Sequence, residues 1–172
     1  MRGSPPQPGD SAEYHFTYIN QVPAGDIVDT LDRQGTEMRE LLHDISDEQS
    51  LHRYAPGKWT IREVLSHIND TERVFSFRGY WFARNLGDPL PSFDQEVAIA
   101  VAGADARTWE SHVAEWIAVR HSTLALFGNL PADAWQRRGV ASGSEFTVNA
   151  MAYITAGHVQ HHLRLLRERY LS

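Results

Sequence analysis

The chain contains no cysteine. That absence excludes disulfides, Cys-ligated zinc or iron–sulfur sites, a thiol nucleophile and a dithiol redox centre. Any metal must be held by His, Asp or Glu. Positive charge is also in short supply: 16 Lys and Arg stand against 22 Asp and Glu, for a formal net charge of −6. A nucleic-acid module usually carries a basic face, so this balance argues against one. No apolar run approaches the ~20 residues of a membrane span. The opening MRGSPPQPGD lacks the apolar stretch of a secretory signal. These absences point to a cytoplasmic protein that acts on a small molecule, with no nucleic-acid or membrane partner. No segment shows sustained alternation of apolar and polar residues, which points away from β structure.

What the chain does have is nine histidines in 172 residues and a strong helical periodicity. A chain of this length buries roughly 70% of its unfolded surface and needs no covalent staples. Residues 1–13, rich in Pro, Gly and Ser, read as a disordered leader, leaving one domain over 14–172. Tyr14, Phe16, Tyr18 and Ile19 are interspersed with polar residues and predict an extended arm, ended by Pro23. Four amphipathic segments follow, at about 24–45, 60–86, 106–128 and 147–170. The second opens with Thr60-Ile-Arg-Glu63, a capping box in which side chains and free backbone N–H groups satisfy each other. Gly87 and Pro89 stop it. A loop of about 18 residues then precedes the third helix, and loops of that length are often functional. The expected fold is all-α: an antiparallel up-and-down four-helix bundle with an extended N-terminal arm and a long loop between helices 2 and 3.

Helical phase at about 100° per residue sorts the polar residues. The apolar stripe of helix 4 is Val148, Met151, Ile154, Val159, Leu165 and Leu166. His158 and His162 fall near its centre, about 40° apart, whereas His161 lies about 100° away. Two imidazoles at i and i+4 can converge on one metal ion. The competing reading is a pair of hydrogen-bonded core histidines, and spacing alone does not choose. In helix 2, His67 lies about 90° from the stripe centre, facing either a neighbouring helix or solvent. If helices 2 and 4 run parallel, His67 and His158 differ in height by about 6 Å. Arg120 sits near the centre of the helix 3 stripe. A buried guanidinium is costly unless paired, so either Glu72 of helix 2 meets it, the preferred reading, or it holds an anionic substrate. His112, His121 and the other remaining histidines are expected at helix edges, in loops or at the surface.

These residues resemble a known family. Ala55-Pro-Gly-Lys-Trp-Thr-Ile-Arg-Glu-Val-Leu-Ser-His67 followed by Asp70-Thr-Glu-Arg73 resembles the helix 2 signature of the DinB/YfiT-like superfamily. Leu90-Pro-Ser-Phe-Asp94 and Gly157-His-Val-Gln-His-His162 do likewise, and the resemblance spans about Tyr14 to Tyr170. It implies a four-helix bundle holding a divalent metal on three histidines, which here are His67, His158 and His162. It also implies frequent homodimers and, in characterised relatives, transfer of a low-molecular-weight thiol such as bacillithiol or mycothiol to electrophiles. Many members have no assigned activity and are described only as metal-dependent hydrolases.

Three histidines leave coordination positions for water or substrate, the pattern of a catalytic rather than a closed structural site. Metal-bound water would give hydrolysis. A metal-bound thiolate would give S-transfer, and with no cysteine in the chain that thiol must arrive as a cosubstrate. A His-only donor set favours zinc or nickel over magnesium or calcium. The expected activity is thiol S-transfer, with a metal-dependent hydrolase as the first alternative. A non-catalytic helical protein with a structural or vestigial metal is the second. Asp70 is a candidate fourth ligand, or an orienting partner for His67.

Overall fold

A computed structural model describes residues 4–172. Among these residues the elements are α1 (Phe16–Ile19), α2 (Ile27–His43), α3 (Ile61–Ala83), α4 (Gln95–Val101), α5 (Trp109–Gly128) and α6 (Val148–Leu165). A π-helical turn, Leu166–Tyr170, continues α6. Two strands, β1 (Arg138–Ala141) and β2 (Ser144–Thr147), pair antiparallel. No helix of the described residues is long and apolar enough to cross a membrane.

The helices begin where side chains can satisfy their first N–H groups. Glu63 N–H donates to Thr60 Oγ1 at 3.0 Å while Thr60 N–H donates to Glu63 Oε2 at 2.8 Å, completing the capping box at α3. Thr147 caps α6 by accepting from Ala150 N–H at 3.0 Å. Asp26, Asp94 and Thr108 cap α2, α4 and α5 in the same way.

The protein is a helical bundle, but its connectivity differs from the up-and-down expectation. In an up-and-down bundle consecutive helices are antiparallel neighbours. Here α3 packs principally on α5 and α6, and α2 likewise packs on α5 and α6. Consecutive α2 and α3 therefore sit diagonally. The contacts also fix direction. Asn69 meets the His112 carbonyl, Glu72 meets Arg120, and Gly79 abuts Phe127, so α3 and α5 run parallel. Tyr170 donates to the Trp59 carbonyl, His67 meets His158, and Gly79 abuts Met151, so α3 and α6 run antiparallel. The parallel arrangement of helices 2 and 4 assumed from the sequence is thus reversed. The cause lies in the segment between α3 and α5. It returns the chain to the starting end of α3, where Thr60 Oγ1 donates to Asp105 and Arg62 donates to the carbonyls of Asp105 and Arg107. The long loop is this return connection, and it carries α4, capped by Asp94 and anchored by buried Ile99.

Three further expectations change. The arm is helical rather than extended: Glu13–His15 forms a 3-10 turn that leads into α1, and Thr17 Oγ1 caps back onto the Tyr14 carbonyl at 2.8 Å. The described part of the 1–13 leader lies against the body. Thr147 N–H donates to the Asp10 carbonyl at 2.9 Å, Arg138 pairs with Asp10 at 2.8 Å, and Pro6 and Ser11 are buried. Residues 1–3 lie outside the described residues. The hairpin also went unpredicted, because strands of four residues are too short to show an alternating pattern. Its two-residue turn places Ser142 at φ 52° and Gly143 at φ 75°, the left-handed pair that tight hairpins favour.

The apolar core forms two clusters. One gathers Phe82, Phe127, Trp135, Phe146 and Tyr153, with Phe75 at its edge. The other gathers Met38, Leu42, Leu65, Trp116 and Val159, with Trp59 packed against it. The inward histidines of α3 and α6 lie where these clusters meet.

Candidate metal centre

His67 projects from the middle of α3, and His158 and His162 project from the last turns of α6. The antiparallel packing brings all three together. His67 Nε2 lies 3.0 Å from His158 Nε2, which lies 3.1 Å from His162 Nε2. One ligand atom from each falls within 4.8 Å of the others. Each residue is at most 7% exposed.

Burial makes the neutral imidazole the stable form. His67 is pushed down to about 4 by burial and by the nearby His161. His158 is held well below its ordinary value by burial, then by His162, His67 and His161. His162 is shifted the same way by burial, His67 and His161. Neutral imidazole is also the form that ligates metal. Ligand nitrogens at 2.0–2.1 Å from a tetrahedral ion stand about 3.3 Å apart. The His67–His158 and His158–His162 separations fall near that scale, and the residues fit a divalent ion.

The surroundings position the donors and exclude water. Thr71, one turn beyond His67, places Oγ1 3.3 Å from His67 Nδ1. His162 Nδ1 is buried without a hydrogen-bond partner. Trp59 packs on His67 with ring centroids 5.1 Å apart, and Phe75 meets His158 edge-on at 5.9 Å. Tyr18 of α1 stands edge-on to His158 at 5.5 Å. Burial and its contact with Tyr14 raise the Tyr18 pKa, so the phenol stays protonated. Sequence periodicity gives Trp59 and Tyr18 no position relative to the site. The i, i+4 spacing of His67 and Thr71 was the one available signal for the Thr71 contact.

The other candidates lie elsewhere. Arg120 Nη2 meets Glu72 Oε2 at 2.6 Å, with side chains 2% and 1% exposed. Arg120 also donates to the Leu31 carbonyl and stacks over Trp116. This guanidinium is engaged between α2, α3 and α5 and does not reach the histidines. Asp70 pairs with Arg73 at 3.4 Å, on the side of α3 where Arg73 and Arg107 share Glu115. It is not among the converging ligand atoms. His112, expected at a helix edge, is fully buried; its Nε2 lies 2.9 Å from the Ala104 carbonyl. The turn at 104–106 covers a face of α5 that helical phase alone leaves open.

Fold and site together define a helical bundle with a buried three-imidazole donor set. The chain belongs to the DinB superfamily, whose family model matches residues 30–166. The structure is similar to YfiT from Bacillus subtilis, described as a probable metal-dependent hydrolase with an unusual four-helix bundle topology. That likeness has a TM-score of 0.69 at 16% identity and covers 94% of this chain and 91% of YfiT, so it speaks to the fold. No curated protein matches the chain by sequence.

Proposed function

We propose that this protein is a metal-dependent enzyme that transfers a low-molecular-weight thiol to an electrophilic small molecule. In this reading His67, His158 and His162 hold one divalent ion, zinc or nickel by preference for imidazole nitrogen. A bound ion would supply Lewis acidity, lowering the pKa of a coordinated thiol or water. The observation that carries the reading is the convergence of three buried, neutral imidazoles with no carboxylate among them. Tyr18, Trp59 and Phe75 set aromatic rings against the imidazoles. Thr71 holds the His67 ring in orientation. Arg120 is paired with Glu72, and this reading gives it a structural role. The thiol comes from outside, since the chain has no cysteine. The reading includes a cytoplasmic location and a homodimer, for which exposed Val97 and Val101 on α4 offer apolar surface.

Hydrolysis is the second reading, favoured by the description of YfiT. Among the described residues no carboxylate joins the histidine group, so the group itself offers no general base of that kind. One experiment separates the two. Mass spectrometry after incubation with a small thiol and a model electrophile should show an enzyme-dependent conjugate. Turnover of an ester or amide panel without thiol, and no conjugate with it, would replace transfer by hydrolysis.

A further inference from the structure

A second site lies farther along α3. Arg78 is eleven residues beyond His67, about 20° away in helical phase and about 16 Å along the axis. It is only 6% exposed. Among the described residues no carboxylate pairs with it. Both of its hydrogen bonds use Nη2, donating to the Pro91 carbonyl at 2.9 Å and to Ser142 Oγ at 3.0 Å. Nη1 and Nε have no hydrogen-bond partner, yet neither is sealed from solvent. The neighbour that feels its charge is another base, His15, lowered first by burial and then by Arg78. A buried guanidinium without a counter-ion is costly, and an anion on its free N–H groups would offset that cost.

Arg78 borders a cleft of about 320 Å³ between α3 and the 90–93 segment. Phe77, Leu90, Pro91 and Phe93 make the rest of the wall predominantly apolar. Arg73, at the rim, is already paired with Glu115 at 2.7 Å. One uncompensated charge in an apolar cleft matches a monoanion with an apolar body. The planar guanidinium, fixed by Pro91 and Ser142, suits a carboxylate. The volume is at the small end of ligand sites, enough for a fused pair of rings.

We propose that this cleft binds a small aromatic carboxylate, with its carboxylate on Arg78 and its rings between Phe77 and Phe93. The site is separate from the histidine cluster and does not rest on the metal.

The test is calorimetry and amide NMR on the purified protein with 2-naphthoate and its neutral counterpart, 2-naphthamide. Naphthoate should bind about tenfold or more tightly than naphthamide and shift the amides of Phe77, Arg78 and Phe93. Arg78→Gln should remove that preference, Arg78→Lys should keep part of it, and Phe93→Ala should weaken both probes. If Arg78→Gln does not fold, the acid–amide comparison and Phe93→Ala still decide. His158→Ala should bind naphthoate as well as the parent protein. Equal affinity for acid and amide, absence of binding, shifts confined to other residues, or loss of binding in His158→Ala would each overturn the proposal.

Discussion

A Cβ placed on Gly157 would collide with the carbonyl oxygen of Tyr18. The backbone of α1 therefore rests directly on α6, one residue before His158. This contact sets the Tyr18 ring against the imidazole. Gly157→Ala must push α1 away, and overpacking of this kind costs roughly 1–3 kcal/mol. Urea unfolding should show that loss. Tyr18→Ala, which leaves the backbone contact intact, should cost less stability but expose His158 to solvent, read by faster exchange of its ring.

The Glu72–Arg120 pair joins α3 to α5 with both side chains nearly sealed from water. Glu72→Gln leaves a buried cation without its anion, at a cost of about 3–5 kcal/mol. The double replacement Glu72→Met with Arg120→Met should be less destabilising than either single change. Chemical denaturation of Glu72→Met, Arg120→Met and the double variant checks this, and an additive double mutant would show that the pair is not coupled.

Thr71 acts on the site only through His67 Nδ1. Thr71→Val keeps shape and removes the hydroxyl. Zinc affinity, measured by competition with a chromophoric chelator, should fall about 10–100-fold with little change in melting temperature. Thr71→Ser should restore most of the affinity.

Burial lowers His67 from 6.5 to about 4, so between those values the unfolded chain binds a proton that the folded chain does not. Stability of the metal-free protein should therefore fall as pH drops from 6.5 towards 4. The slope is about 1.4 kcal/mol per pH unit for each such proton. His158 and His162, shifted the same way, steepen it. His67→Gln should flatten the profile by its own share, as read from denaturation midpoints between these limits.

Much of the site could be read from the chain because its signals are local. Phase alone aims His158 and His162 inward, since i, i+4 residues share a helix face whatever the tertiary arrangement. Thr60 and Thr147 announce their caps through contacts three residues away. His67 was ambiguous by phase because its orientation matters only once α6 is known to pass antiparallel beside it. Helix direction depends on how residues 84–108 return to Thr60 and Arg62 at the start of α3, a long-range matter that periodicity does not encode. The same limit hid Tyr18 and Trp59, which reach the cluster from segments outside the long helices. It also hid the burial of His112 beneath the Ala104 turn.

The central claim is that His67, His158 and His162 together hold a metal ion. The direct measurement is metal content after zinc loading and removal of free ion, in the parent protein beside His67→Ala, His158→Ala and His162→Ala. Circular dichroism run in parallel confirms that each variant remains helical. The account predicts one tightly held ion per parent chain and loss of retained metal in every variant. Equal metal content in the parent and all three folded variants would contradict it.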